Sequence, residues 1–361
     1  MAFELKLWFD RAFFEEIAGA LADEHRGFDR KGFVKAALKD LDSLSLKERL
    51  SRTAMLCGQF LPDDYSSALA VVEAVAPRYE GQFRALFAPE FVSLFGRDDR
   101  SRSLDALRRL TRFGSAEFAI RHFILDDPQE TLDVMTRWAG DDDHHVRRLA
   151  SEGSRPRLPW SFKLDHLIED PSRAFPILEP LRGDPELYVR KSVANHLNDI
   201  GKDHAGTMLD LVDGWDRRDP NTAKHACRSL IKAGDRRALA LFGFGKQPEI
   251  EVEGLTVSPS QVVWEGTVEI TFDLISKAKA GQQLALDYVV HYMKAHGETA
   301  PKVFKLKELE LAVGESLAIR TRRSLQERTT RRHYPGRHEI EIQINGVRCA
   351  TAPFELLAPD S

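Results

Sequence analysis

Cysteine is scarce: Cys57, Cys227 and Cys349 are odd in number and far apart. That excludes a disulfide framework and a cysteine zinc site, and it fits a reducing compartment. No stretch approaches about 18 uninterrupted apolar residues, so no segment is expected to span a membrane. The opening residues, Met1 to Asp10, carry an acid at Glu4 and no long apolar core, unlike a secretory signal. A cytoplasmic setting follows as the expectation. An excess of charge is missing too. Lys plus Arg is 52, Asp plus Glu is 56, and the net charge is −4. Such balance excludes a histone-like polyanion binder and a disordered acidic tail. Any nucleic-acid contact must therefore come from a local patch. Also absent are a P-loop, a G-x-G-x-x-G after a strand, a G-x-S-x-G elbow and the HExxH and CxxC spacings.

What is present is an ordinary globular composition, 42% hydrophobic and 30% charged over 361 residues. At about 100–200 residues per domain this length makes two domains, or three. From about Arg11 to Gly243 the chain reads as helices, with apolar residues spaced by three and four in 11–21 and further helices near 30–41, 46–60, 64–75, 102–112 and 115–125. Ser115 and Ser172 read as N-caps or first-turn residues. Past residue 125 a repeat emerges. Asp127-Pro128 and Asp170-Pro171 each open a helix, and Val146-Arg147-Arg148 and Val189-Arg190-Lys191 each sit in the next one. Both steps are 43 residues apart (171 − 128; 189 − 146). A looser copy runs from Asp203 through Leu209 to Ala226. Helix pairs at about 40–47 residues indicate HEAT-like repeats stacked as an α-solenoid.

Near Gly243 the pattern switches to short alternating runs, such as 262–264, 268–272, 284–292, 317–320 and 338–344, with Asn345-Gly346 marking a tight hairpin. About seven strands in roughly 110 residues make an immunoglobulin-like β-sandwich. The expected architecture is multi-domain, α then β: a HEAT-like domain over 1–245 and a β-sandwich over 246–361.

The stretch 146–160, VRRLASEGSRPRLPW, stands out. Gly153 reads as a helix C-cap. Arg155 and Arg157 alternate with prolines in an extended, stiff loop. Arg148 and Glu152 are four apart and share a helix face. Four arginines, a carboxylate and Trp160 beside a rigid loop can bind a phosphate backbone and present a carboxylate to a sugar. The same residues also fit a surface Arg–Glu pair beside a solvated loop. Glu117 falls in the 115–125 helix, where it is either functional or a solvated acid paired with Arg121, and Asp165 is ambiguous in the same way. Asp141-Asp142-Asp143-His144-His145 invites a metal, but adjacent histidines on a helix point about 100° apart and acids in a first turn are capping chemistry, so no metal site is expected. A second basic cluster has seven arginines in eighteen positions, 320, 322, 323, 328, 331, 332 and 337, opposed within the run by Glu327 alone. Arg320 and Arg322 share a strand face, and arginine without lysine suits bidentate phosphate contact.

The 146–160 run resembles the signature of the AlkC branch of the AlkC/AlkD family of DNA glycosylases, and the helical resemblance covers roughly 1–245. The sandwich resembles the immunoglobulin-like domain of one AlkC subgroup. The resemblance implies a HEAT-like fold and excision of cationic N3-alkylated bases, chiefly 3-methyladenine and also 3-methylcytosine, without flipping the nucleotide into a deep pocket. It implies that Glu152 and Trp160 lie beside the damaged nucleotide, with Arg148 at the phosphate or sugar and Glu117 and Asp165 as further catalytic acids. Arg147, Arg148, Arg155, Arg157, Arg320, Arg322, Arg323, Arg331 and Arg332 are the expected DNA contacts. The expected partner is double-stranded DNA with alkylated bases, bound by a monomer. Chemistry agrees: a 3-methylated adenine departs as a neutral base, so a carboxylate need only stabilise an oxocarbenium-like sugar and position water, with no cofactor. The alternative from fold alone is a non-catalytic HEAT-repeat scaffold or DNA-binding module.

Overall fold

Short polar caps cut the first 241 residues into helices. Asp10, Asp29, Asp64, Asp99, Asp127 and Asp143 each accept a backbone N–H of the helix they precede, and Ser45 forms a capping box with Glu48. The computed structural model describes residues 2–214, 220–327 and 332–358. Arg331, expected to contact DNA, and Arg328 lie outside them.

Helices Arg30–Leu38, Leu46–Phe60, Tyr65–Val75 and Arg100–Leu110 fall where periodicity places them. The helix expected over 115–125 starts late, at Ile120–Asp126. Side chains take over the backbone before it: the Thr111 hydroxyl accepts the N–H of Ala116 and the Ser115 hydroxyl that of Glu117. Glu117 therefore stands in a turn ahead of the helix, not on it. Phe87–Phe95 is a further helix that the pattern did not reveal.

The 43-residue repeat is physical. Val146 and Val189 are buried in equivalent helices, His144–Gly153 and Leu187–Ile200. The arginine after each valine latches the preceding turn: Arg147 donates to the carbonyls of Asp141 and Asp142 (both 2.9 Å), and Arg190 to those of Asp184 and Pro185 (2.7 and 2.9 Å). The aspartates opening these turns are equivalent as well. Asp141 accepts the N–H of Asp143 and Asp184 that of Glu186 (2.9 and 2.8 Å). Arg147 then grips Asp184 of the following copy with two bonds, 2.6 and 3.1 Å.

By contacts the chain divides into two compact units. Residues up to Asp203, with the helix Pro220–Ala226, form one; the helix Ala205–Asp213 and the residues from Cys227 onward form the other. The change from helix to strand falls between Leu241 and Ile250, beside the expected boundary at 245. The compact units divide elsewhere, because helices Arg228–Ala233 and Arg236–Leu241 pack on the strands. Leu239 and Phe244 are buried with Ala285, and the Gln343 amide donates to the Lys232 carbonyl. Gly234 caps its helix at φ 80° and lies so close to Gly346 that a Cβ on Gly346 would come within 2.6 Å of the Gly234 Cα.

Among the described residues eight strands form the sandwich: β1 (Ile250–Ser258), β2 (Gln261–Val262), β3 (Thr267–Ser276), β4 (Gln282–Met293), β5 (Thr299–Leu311), β6 (Ser316–Ser324), β7 (Gly336–Ile344) and β8 (Val347–Leu356). One sheet runs β1-β3-β6, the other β2-β8-β7-β4-β5. Alternate residues Val268, Ile270, Phe272 and Leu274 face Leu284, Leu286 and Val290 in one core. Asn345-Gly346 joins β7 to β8 with both residues at positive φ, as a tight hairpin requires. β1 and β5 are absent from the runs read in the sequence, and β8 is only implied by the hairpin. β5 is an edge strand whose lysines and glutamates break the apolar pattern, a common protection of exposed edges.

Candidate active site

Arg148 is the centre of the conspicuous segment. Val146, Leu149 and Ala150 turn the helix His144–Gly153 inward, which leaves Arg148 and Glu152 one turn apart. The Arg148 guanidinium donates to the Ser115 hydroxyl (2.8 Å) and to the Glu117 carboxylate, and it lies 3.6 Å from Glu152. Its Cζ sits 5.0 Å from the centre of the Tyr188 ring. Burial works against the charge on Arg148, but the two carboxylates outweigh it and raise its pKa. The fold thus brings Glu117 and Glu152 onto one cation from separate turns.

Glu152 is only 5% exposed and fully engaged. One oxygen accepts from Arg155 (2.6 Å), the other from the Ser192 hydroxyl (2.6 Å). Arg155 continues to Asp199 at 2.8 Å, and Lys202 also reaches Asp199 (2.9 Å). Beside them His196 is wholly buried, its pKa pushed down to about 3 by desolvation, and its neutral ring donates to the Ser151 carbonyl (3.0 Å). Two of the expected DNA contacts are held by carboxylates of the protein itself. Arg155 is 6% exposed and points inward, because two buried carboxylates need its charge. Arg147 is held between repeats by Asp184. Arg157 is partly exposed and makes a two-pronged pair with Asp203 (2.9 and 3.1 Å).

Arg121, unforeseen as anything but a partner of Glu117, is 0% exposed. It donates to the carbonyls of Gly153 (3.0 Å), Arg155 (2.7 Å) and Phe162, and so ties both ends of the loop that carries Trp160. Burial and the neighbouring Arg155 push its pKa down to about 10. Trp160 is 50% exposed at φ 64° and meets Phe83 edge-on, with centroids 6.3 Å apart. Gly153 is not a left-handed cap: it is the last helical residue, and a Cβ there would lie 2.5 Å from Ile120. Asp165 is exposed at the start of the helix Asp165–Glu169. Tyr188, Ser192 and Asp199 also escaped the sequence reading, and Ser115 is read there only as a helix cap. Only Arg121 left a signal there, a cation inside the apolar run Ala119 to Ile124.

The β-domain arginines are opposed by more than Glu327. Glu269 on β3 accepts from both Arg320 and Arg322 of β6 (2.7 and 3.2 Å), since the register brings the three side chains to one face. Arg323 turns the other way, 3.8 Å over Phe304 and bonded to the Tyr292 hydroxyl. Arg332 lies 5.9 Å over Tyr334. The histidines 144 and 145 also depart from expectation. Their rings do not diverge but lie 4.1 Å apart, and one donor atom from each, with one from Asp143, falls within 4.8 Å of the others. They occupy the first turn, where no preceding turn dictates side-chain direction.

Two family models match, one within each part of the chain. That described as "DNA alkylation repair enzyme" matches residues 110–230, and that described as "Uncharacterised protein YhaZ, C-terminal Ig-like domain" matches 251–358. "Uncharacterized protein YhaZ" of Bacillus subtilis strain 168 is 36% identical over 347 residues, 95% of this chain and 96% of that protein. A solved structure, Pseudomonas fluorescens alkylpurine DNA glycosylase AlkC bound to DNA containing an abasic site analog, is 47% identical over 98% of this chain and 99% of its own, with a TM-score of 0.95. The chain belongs to the AlkC family. The resemblance first drawn from residues 146–160 thus extends over the whole length, and the immunoglobulin-like domain is part of the AlkC match. Among the described residues, no helix is long and apolar enough to cross a membrane.

Proposed function

We infer that this chain is a DNA N-glycosylase for alkylated bases, acting on cationic N3-alkylated purines and pyrimidines, chiefly 3-methyladenine and also 3-methylcytosine. The observation that carries this reading is the pair Glu117 and Glu152 on Arg148, in a chain 47% identical to an alkylpurine DNA glycosylase. An already cationic base leaves without a general acid, so the protein must supply negative charge to the sugar and a positioned water. Glu117 is the more open carboxylate and takes that role. Glu152, locked by Arg155 and Ser192, fixes the position and charge of Arg148 from behind. Arg148 contacts the phosphate beside the lesion. The half-exposed Trp160 offers a ring face to the cationic sugar, and Asp165 is a further acid on the same segment. No organic cofactor enters the reaction, and no deep pocket for a flipped base is required. The partner is alkylated double-stranded DNA, bound by a monomer in the cytoplasm. Arg157, Arg320, Arg322, Arg323, Arg331 and Arg332 assist in binding the backbone.

The test is direct. Purified protein incubated with methylated DNA should release 3-methyladenine and 3-methylcytosine, and Glu117→Gln should slow release by about 10²–10⁴, the scale of a positioned carboxylate. DNA binding without release of any base would favour the DNA-binding module instead.

A further inference from the structure

A cavity of about 970 Å³ lies beside the start of the helix His144–Gly153, outside the Glu117–Arg148–Glu152 cluster. Its walls include Glu73, Glu80, Arg108, Arg109, Arg112 and the run Asp141 to His145. Five carboxylates face three guanidinium groups there, an excess of two negative charges with the histidines neutral. The guanidinium groups are matched: Arg108 with Asp141 at 2.5 Å, Arg109 with Glu73 at 2.8 Å and Arg112, more loosely, with Asp143 at 3.7 Å. Glu80 and Asp142 supply the excess. At this acidic edge Asp143, His144 and His145 converge, one donor from each within 4.8 Å of the others, with the two imidazoles 4.1 Å apart.

We propose that Asp143, His144 and His145 bind one divalent cation of the borderline class, Zn²⁺, Co²⁺ or Ni²⁺. Two imidazoles and a carboxylate match that class, whereas Mg²⁺ and Ca²⁺ demand more oxygen ligands. In a tetrahedron of roughly 2 Å bonds the ligands stand about 3.3 Å apart. Closing the donors from within 4.8 Å to that spacing needs side-chain rotation, and all three half-buried side chains border the cavity. Water completes the shell. The helix N-terminus and Arg112 oppose a cation here, and the excess acid offsets them, so binding is of moderate strength. Asp143 already caps His145 through one carboxylate oxygen, 2.8 Å from its N–H. The other oxygen is held only by Arg112 and is the one free to bind. The site touches the catalytic cluster through one contact: His145 meets Tyr188 edge-on at 6.1 Å, and Tyr188 lies under Arg148. The proposal does not depend on the excision reaction.

Full-length protein, stripped of metal and free of any polyhistidine tag, is titrated with Co²⁺ and followed by visible absorption and calorimetry. One equivalent should bind with a Kd in the micromolar range, with bands stronger than those of the aquo ion. His144→Gln and His145→Gln should each weaken binding at least tenfold while keeping the wild-type melting temperature. Arg112→Ala should tighten it by freeing Asp143. Absorption identical to the aquo ion, or binding unchanged in both histidine variants, would overturn the assignment. Zn²⁺ should displace Co²⁺, and Mg²⁺ at the same concentration should not; displacement by Mg²⁺ would also count against it.

Discussion

Glu117→Gln and Glu152→Gln remove charge from the same guanidinium, yet their surroundings differ and so should their outcomes. Glu117 sits in a half-buried turn with Ser115 and Arg148 as partners. Its amide should leave the melting temperature near wild type and lower excision. Glu152 is buried between Arg148, Arg155 and Ser192, so its amide leaves two cations short of charge. That variant should lose stability by roughly 3–5 kcal/mol as well as excision, measured by denaturant unfolding alongside base release. If Glu152→Gln proved as stable as wild type, the buried network would not be holding it. Trp160→Ala tests the other side of the site. A half-exposed ring contributes little to the core, so its loss should cost the fold little and excision much. A large fall in melting temperature would instead mark Trp160 as structural.

Between residue and fold stands the repeated turn, and here Arg147 is decisive. Its partner Asp184 is buried, and two turn carbonyls hold the same guanidinium. Arg147→Ala should therefore destabilise the helical unit by about 3 kcal/mol and leave the salt dependence of DNA binding unchanged. A flatter salt slope with unchanged stability would return Arg147 to the DNA surface. On the sandwich the expectation runs the other way. Arg320 and Arg322 are exposed and share one carboxylate, Glu269. If both reach phosphates, replacing them should flatten the slope by about 0.9 each without unfolding the strands.

At the scale of the whole chain, the two units carry opposite responses to pH. In the first, His196 is neutral when folded, its pKa held at about 3 against an ordinary 6.5. The unfolded chain takes up a proton first, so this stability is complete above pH 6.5 and is lost as pH falls toward 3. In the second, burial raises the Asp287 carboxyl from 3.8 to about 6. The folded form holds its proton longer, so that contribution is complete below pH 3.8 and is lost as pH rises through 6, by roughly 2–3 kcal/mol. Asp287→Asn should therefore stabilise the sandwich at pH 8 and not at pH 4, read by thermal unfolding. The same unit bears on truncation. Cutting at residue 248 would strip the strands from Leu239, Phe244 and Gly234. The remaining helices should aggregate or melt earlier than the full chain, whereas a solenoid independent of the sandwich would keep its melting temperature.

Much was fixed locally and so could be read from the sequence. The 43-residue spacing, the Asp-Pro helix starts, the alternation of β3 and the Asn345-Gly346 turn all follow from backbone chemistry within a few residues. Residues 146–160 carried the family resemblance for the same reason: their composition is unusual over a short span. What required the tertiary structure was every partner supplied from a distance. Glu117 reaches Arg148 from 31 positions away, Ser192 reaches Glu152 from 40 and Asp199 reaches Arg155 from 44. Those contacts turned arginines that read as a DNA surface into buried or latched groups, because a carboxylate out of water takes the nearest cation. They also brought Asp143, His144 and His145 together where helix geometry alone sends neighbours apart. Periodicity reports which face of an element is covered; only packing decides which charge covers it.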